Sequence, residues 1–186
     1  MQRVLCSLLL LIALQQLGSA GLIKVKAWLA PVLVARAWDI SLANGGMPVK
    51  PWPWSDTWPL ARLSFPRQGV ERLVLAGDSG NVLAFGPGHS PASVPPGEQG
   101  EAVISGHRDT HFAVLAELRV GELMHLQLPS GESRSYRVVD IAIVDSSRER
   151  LLRIEEGEQL RLVTCYPFDA ALPGGPLRYA VTAVRA

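Results

Sequence analysis

Short runs of alternating apolar and polar residues fill the chain from residue 60 onward, a pattern typical of half-buried β-strands. Turn-forming glycine, proline, serine and aspartate residues separate the runs. The predicted strands are Ala61–Phe65, Arg72–Ala76, Val82–Phe85, Ala102–Ser105, Leu123–Leu128, Ser135–Asp145, Gln159–Thr164 and Leu177–Val184. Eight short strands at this spacing predict an all-β fold, a closed or nearly closed barrel.

Two short helical segments are predicted among these strands. Phe112, Leu115 and Leu118 recur at the spacing of one helix face, so Thr110–Leu118 is expected to be helical. Ser146–Leu152 is expected to form a short turn of helix. The barrel domain should therefore contain few helical residues.

The N-terminal segment is apolar and lacks the alternation of apolar and polar residues that marks the strands. Val4–Ile23 is interrupted only by a few small or polar residues such as Gln15–Gln16, and its length of about twenty residues is enough to cross a bilayer once. We expect residues 1–23 to be an uncleaved signal-anchor that precedes the barrel. Gly18–Ala20 offers the alternative of a cleavage site in a signal peptide.

Residues 24–59 should connect this segment to the barrel domain at 60–186. Lys24–Leu42 is rich in alanine and leucine and predicts a helix, with Pro31 near an early turn or at a kink. Its tryptophans and basic residues suit a helix at a membrane surface, and packing on the domain explains them equally well. Pro51–Pro59 alternates tryptophan with proline and is interpreted as a strap over a barrel end rather than an exposed recognition platform.

The composition of the chain argues against some classes of function. Eighteen basic and seventeen acidic residues give a net charge of +1, so nothing favours nucleic-acid binding. Hydrophobic residues make up 48% of the chain, and the surplus lies in the first forty residues. Cys6 lies in the apolar segment and Cys165 in the barrel domain, which argues against a disulfide. A lone cysteine is most often a small buried hydrophobe, so a nucleophilic Cys165 needs partners.

Cys165 is predicted to lie where a strand ends. Pro167 then lacks a backbone donor and forces a loop. The next strand begins after Gly174-Gly175-Pro176 and would return Arg178 to the side of Cys165 if the two strands pair antiparallel. An arginine near a thiol favours the thiolate and can donate to a developing oxyanion.

A third chemical group follows the predicted strand Ala102–Ser105. Gly106 ends the apolar run and presents His107. A histidine that transfers a proton is what a cysteine nucleophile needs to expel an amine. Cys165, His107 and Arg178 together predict acyl transfer through a thioester.

These residues occur in an order and spacing that resemble the sortase family of cysteine transpeptidases. The shared features are Ser-Gly-His at 105–107, Leu-Val-Thr-Cys at 162–165 and an arginine thirteen positions after the cysteine. The resemblance covers residues 60 to 185. Three longer strings are similar to the sortases of Gram-negative, largely marine, proteobacteria: His-Arg-Asp-Thr-His-Phe, Thr-Cys-Tyr-Pro-Phe and Pro-Trp-Pro-Trp-Ser-Asp-Thr-Trp-Pro.

The resemblance implies a sortase-type barrel that needs no cofactor. Its substrate would be a protein with an LPXTG-like sorting signal, cut between threonine and glycine and passed to an amine acceptor. It also implies a single-pass protein of the inner membrane with the catalytic domain on the periplasmic side. Two alternatives remain, a thiol hydrolase that releases its product to water and a catalytically silent barrel that binds a partner.

Residues around the predicted site allow two interpretations each. Ser105, Thr164 and Tyr166 could contact substrate, and strand-end packing explains them equally well. Asp109 could orient His107 or, as we favour, cap the helix that follows.

No metal site is expected. His107 and His111 are spaced as in a zinc-binding helix, but position 108 is arginine rather than the glutamate of a metalloprotease. Gly106 and the strand before it also argue that His107 is not inside a helix. We expect His111 to pack near the site, and His89 and His125 to be structural or solvated.

Overall fold

Eight β-strands close into a barrel in the computed structural model, which describes residues 15–16, 28–147, 157–170 and 174–186. The strands are β1 (Pro59–Phe65), β2 (Val70–Ala76), β3 (Gly88–His89), β4 (Gly100–Ser105), β5 (Leu123–Gln127), β6 (Ser133–Asp145), β7 (Glu158–Cys165) and β8 (Leu177–Arg185). Their order around the barrel is β1-β2-β3-β4-β7-β8-β6-β5. The prediction of an all-β, eight-stranded barrel is confirmed.

Two of the strand pairs are parallel, β2 with β3 and β4 with β7, and the others are antiparallel. Because parallel strands end at the same edge of a sheet, the carboxyl ends of β4 and β7 lie together. The strand β8 runs antiparallel to β7, so its amino end reaches that edge as well. Three strand ends therefore meet at one edge of the barrel.

The barrel interior is filled by every second residue along the strands, whose side chains point inward. In β1, Ala61, Leu63 and Phe65 are buried and their neighbours are partly exposed, as the sequence pattern predicts. The core also takes Leu160 and Leu162 from β7. The even-numbered residues of β7 therefore point inward, and Cys165 lies on the outer face.

The predicted strand Val82–Phe85 is wrong. A short helix, α2 (Gly80–Leu83), occupies this position and the third strand follows it at Gly88–His89. Short apolar runs do not distinguish strand from buried helix, and here Val82 is buried against Val34 and Leu75 rather than in the barrel core. Gly88 pairs at a point where a Cβ atom would overlap the Gly77 carbonyl oxygen, so the close approach requires glycine.

The predicted helix Thr110–Leu118 is shorter than expected and of a tighter type. A 3-10 helix spans Ala113–Glu117, and residues before it form turns. Phe112, Leu115 and Leu118 are nevertheless buried, as their spacing predicts. The later start arises because the Phe112 N–H donates to the His107 carbonyl at 2.9 Å, which closes a turn instead of a helix.

The capping role favoured for Asp109 is also wrong. The residue at the N-cap of the 3-10 helix is Phe112, and no side chain caps this helix. Asp109 lies three residues earlier, in the turn that delays the helix, and its side chain is exposed. For the predicted turn at Ser146–Leu152, Ser147 N–H donates to Asp145 at 2.9 Å, and residues 148–152 lie outside the described part of the chain.

A helix before the barrel, α1, is described over residues 28–43. Its inner face buries Val34 and Trp38, and the guanidinium of Arg62 lies 5.7 Å from the centre of the Trp38 ring. Its outer face exposes Trp28 and Val32, with 76% and 54% of their surface accessible. The helix therefore packs on the domain with one face and presents apolar side chains on the other.

The strap at residues 51–59 packs against the barrel as predicted. Trp52 meets Phe85 edge to face, with ring centres 5.3 Å apart, and the Thr57 hydroxyl donates to the Ala76 carbonyl at 2.7 Å. Trp54 is the exception, since 83% of its surface is exposed. The strap thus covers β2 and α2 while one of its tryptophans remains outside.

The predicted membrane anchor, Val4–Ile23, lies outside the described residues except for Gln15 and Gln16. Among the residues that the structure does describe, no helix combines the length and apolar character needed to cross a bilayer.

Candidate active site

The edge where β4, β7 and β8 meet collects the three residues predicted to carry the chemistry. Cys165 and Arg178 are direct partners in the β7–β8 ladder, so their side chains lie on the same face. Ser105 is paired with Val163 in the parallel ladder between β4 and β7. His107 comes two residues after the end of β4, at the edge where Cys165 ends β7. The predicted antiparallel pairing that would bring Arg178 to Cys165 is therefore confirmed.

Two hydrogen bonds fix the end of β4 against β7. The Gly106 N–H donates to the Val163 carbonyl at 3.1 Å, and the Thr164 hydroxyl donates to the Gly106 carbonyl at 2.7 Å. Thr164 is buried, with 2% of its surface exposed. Its hydroxyl therefore locks the strand ends immediately before His107 and Cys165, which corresponds to the packing alternative for this residue.

The other two flanking residues lie at the edge of the site. Ser105 is half-buried on the outer face of β4. Tyr166 is half-buried and stacks on Tyr179 with ring centres 6.2 Å apart, and Phe168 packs edge to face against Tyr179 at 5.1 Å. Substrate contact by Ser105 or Tyr166 stays a prediction. The aromatic cluster, formed by Tyr166, Phe168 and Tyr179, stabilises the start of the loop after Cys165.

The chemical groups remain accessible. Cys165 is a half-buried free thiol, and His107 is exposed. Among the described residues, no hydrogen bond joins the thiol to the imidazole. Such bonds are often long in enzymes without substrate and tighten when the substrate is bound. The arrangement is suited to a thiol that attacks a bound carbonyl while a neighbouring imidazole moves protons.

Arg178 is anchored by one of its nitrogens. Its Nη1 donates to the Gly175 carbonyl at 2.8 Å and to the Leu177 carbonyl at 2.9 Å. Within the part of the chain that the structure describes, its Nη2 and Nε atoms have no hydrogen-bond partner. The planar guanidinium is thus held in place while it keeps donors for an incoming oxyanion.

His111 lies behind the site and favours its neutral form. Burial and the positive charge of Arg72 lower its pKa below the usual value, and a hydrogen bond to the Ala84 backbone opposes them only in part. Arg72 also donates from Nε to the His111 carbonyl at 3.2 Å. His111 therefore packs near the site, as expected. Asp109 makes no hydrogen bond to His107 among the described residues, so its orienting role stays a prediction.

The remaining histidines have structural partners. The Nε2 atom of buried His89 lies 2.8 Å from the Val94 carbonyl oxygen, and Nδ1 of His125 lies 3.0 Å from the Ser135 hydroxyl. Among the residues that the structure describes, no group of three or more histidine, cysteine, aspartate or glutamate side chains is arranged to hold a metal ion.

Sequence reasoning missed Arg108, which it considered only as evidence against zinc. Its two terminal nitrogens donate to the carbonyls of Pro167 and Ala170, both at 2.8 Å. It therefore links the segment that carries His107 to the loop that follows Cys165. The available signal was an arginine directly after the histidine, but its partners are 59 and 62 positions away in sequence.

We expect Gly106→Ala to destabilise the domain by about 1–3 kcal/mol, because an added Cβ would lie 2.8 Å from the buried ring of Phe112. Urea unfolding measures this loss. Gly80→Ala is the matched control, since a Cβ there meets no atom within 4 Å and its φ is not positive. Equal unfolding midpoints for the two variants would show that the packing at Gly106 does not constrain the site.

A closed barrel that holds a thiol, an imidazole and a guanidinium at one edge defines a class of cysteine-dependent acyl-transfer proteins. A family model of the Sortase domain matches residues 63–186. The chain belongs to the sortase family, whose members are cysteine transpeptidases. The resemblance read from the sequence over residues 60 to 185 is thereby confirmed at the level of the family.

Individual sortases are similar to this chain in sequence and in structure. The chain is 37% identical over 120 residues to Sortase D of Bacillus subtilis (strain 168), an alignment that covers 64% of this chain and 60% of that protein. Sortase A from Corynebacterium diphtheriae has a TM-score of 0.63 at 25% identity, covering 72% of this chain and 63% of that one. Sortase C1 from Streptococcus agalactiae has a TM-score of 0.61 at 26% identity, covering 69% of this chain and 67% of that one. This chain spans less than two thirds of the first two relatives.

Proposed function

We propose that this chain is a sortase that cleaves a sorting signal in a protein substrate and transfers the acyl part to an amine. The observation that carries the proposal is the direct pairing of Cys165 with Arg178 across β7 and β8. The parallel register of β4 brings His107 to the same edge. A thiol nucleophile, a proton carrier and an oxyanion donor are the groups that acyl transfer requires.

The reaction follows from these positions. The Cys165 thiolate attacks the carbonyl carbon of the scissile peptide bond and forms a tetrahedral oxyanion. Collapse of this oxyanion breaks the C–N bond, and protonated His107 gives its proton to the leaving amine. An acceptor amine then attacks the thioester, His107 takes a proton from it, and the Cys165 thiolate leaves. The acyl group is thus exchanged from one amine to another.

Arg178 acts on the charge that develops during both steps. Its Nη1 is occupied by the Gly175 and Leu177 carbonyls, which holds the guanidinium of the residue that pairs with Cys165. The Nη2 and Nε donors can then meet the oxyanion without reorganisation at the moment of reaction. Arginine suits this role because its donors form a rigid fork.

The substrate signal follows from the resemblance to sortases. We assign an LPXTG-like motif cut between threonine and glycine, and an amine acceptor. Peptides are expected to lie across the outer face of the barrel, because Ser105, Val163 and Cys165 are on that face. Tyr166 would bound the site at the loop.

Product analysis tests this function. An LPXTG-like peptide with a fluorophore and a quencher is incubated with the protein and a glycine-based amine, and the products are separated by mass. The proposal expects the acyl fragment joined to the amine, and no reaction with a scrambled peptide. Cleavage that yields only the free acid at high amine concentration would indicate a thiol hydrolase. No reaction with any sorting peptide would favour a binding barrel.

We also assign the protein to the inner membrane of a Gram-negative cell, with its catalytic domain in the periplasm. The apolar sequence of Val4–Ile23 supports an anchor. The exposed side chains of Trp28 and Val32 in α1 suit contact with a membrane surface. The orientation and the Gram-negative origin rest on the resemblance to proteobacterial sortases.

The full chain should remain with membranes after carbonate extraction, because a single apolar span holds a protein far more strongly than surface contacts. A shortened chain that begins at Lys24 keeps α1 and is the matched control, and carbonate should release it. A mature protein whose first residue is Gly21 would show that the segment is a removed signal peptide instead.

A further inference from the structure

The loop after Cys165 is held from two sides. On the β8 side, the Tyr166 N–H donates to the Leu177 carbonyl at 3.1 Å and Phe168 packs on Tyr179. On the β4 side, Arg108 donates from Nη1 to the Pro167 carbonyl and from Nη2 to the Ala170 carbonyl, each at 2.8 Å. The loop at residues 166–170 is therefore tied to the strand end that carries His107 through one side chain.

Among the residues that the structure describes, no backbone pairing reaches this loop from β4. The last bonds of the parallel ladder, around Gly106 and Val163, come before Cys165. Beyond them the β4 chain turns, because the Phe112 N–H bonds to the His107 carbonyl. Pro167 has no N–H to offer. Before Cys165, the ladder connects β4 to β7. After Cys165, the two hydrogen bonds of Arg108 provide the connection.

We propose that Arg108 is a positioning residue for acyl transfer. By holding the loop at residues 166–170, it fixes Cys165 relative to His107. The inference rests on the proposed function, since it concerns turnover at that site. Two carbonyls 2.8 Å from two nitrogens of one guanidinium match the planar fork of arginine, whereas lysine offers a single point charge. Small misplacements of reacting groups cost about 10- to 100-fold in rate.

The experiment compares Arg108→Ala and Arg108→Lys with the wild-type residue, all in a Cys6→Ala background so that only one thiol is present. The accessible Cys165 thiol is counted by alkylation with iodoacetamide, and kcat and KM for peptide transfer are expressed per alkylated thiol. We expect kcat to fall about 10-fold or more in both variants, because neither retains the fork. The fraction of Cys165 that is alkylated should be the same in the variants and the wild type, because alkylation needs no aligned imidazole.

Hydrogen exchange supplies a readout independent of turnover. The backbone amides of Tyr166 and residues 168–170 should exchange faster in both variants, with no change in β1 or β5. Arg137→Ala is the matched control, because Arg137 also donates to a loop carbonyl, that of Gly121 at 3.1 Å, on another strand. It should leave kcat and the exchange of the loop unchanged.

The outcomes separate the two proposals. A wild-type protein that transfers no peptide defeats the proposed function and this inference with it. An active wild type beside an Arg108→Ala variant with normal kcat per thiol overturns the inference alone. Full rescue by lysine would also overturn it, because charge rather than the fork would then suffice. If Arg108→Ala does not fold, Arg108→Lys decides the matter by the same criteria.

Discussion

Replacing Cys165 with alanine should reduce peptide cleavage and transfer to the background rate. Cys165 is the free thiol at the meeting point of β4, β7 and β8, and alanine leaves no nucleophile to form the thioester. Loss of the nucleophile in an enzyme of comparable design costs about 10⁶-fold in kcat. The measurement is the initial rate with the fluorogenic sorting peptide at saturating amine.

The fold should survive this change. Cys165 is half-buried on the outer face and its thiol has no hydrogen-bond partner among the described residues, so removing the sulfur atom breaks no bond and opens no core cavity. Thermal unfolding checks this. Cys6→Ala is the control for thiol loss and should be active. A folded Cys165→Ala variant that cleaves at the wild-type rate would exclude the proposed chemistry.

Removing Arg178 should slow turnover by about 100-fold or more, as the loss of an oxyanion donor does in other enzymes. The Nη2 and Nε donors have no partners in the described part of the chain, so their loss should be felt mainly in the transition state. Arg178→Lys should restore little, because one ammonium cannot replace the fork. The measurement is kcat/KM for both variants alongside their melting temperatures.

The control for Arg178 is an arginine at the other end of the same strand. The largely exposed Arg185 lies 3.7 Å from Glu158, a mostly buried carboxylate that keeps its ion pair with Arg134 at 2.9 Å when Arg185 is removed. Arg185→Ala should keep normal turnover. If Arg178→Ala behaved like Arg185→Ala, Arg178 would be an ordinary surface cation, and Cys165 and His107 would remain as the supported pair.

The sequence was sufficient for most of the barrel because alternation of apolar and polar residues reports directly on which face is buried. It failed at Val82–Phe85, where an apolar run of four residues fits a strand or a buried helical turn equally well. The deciding interactions there are tertiary, since Val82 packs against α1 and Leu75. The two-residue strand β3 is too short to show any periodicity.

The residues that carry the chemistry could be predicted from the sequence, whereas the residues that hold them in place could not. Cys165 and Arg178 could be expected to meet because a loop followed by a new strand suggests antiparallel neighbours, and the register confirms it. Asp109 was misjudged because its turn delays the 3-10 helix. Arg108 could not be assigned, since its carbonyl partners at Pro167 and Ala170 are neighbours only after folding.

The central claim is that Cys165 carries the acyl group between donor and acceptor. The most direct test is the intact mass of the protein after brief reaction with a sorting peptide in the absence of amine, followed by peptide mapping. The account predicts an added mass equal to the acyl fragment, located on Cys165 and discharged when amine is added. Absence of any adduct while the peptide is being cleaved, or an adduct on another residue, would contradict it.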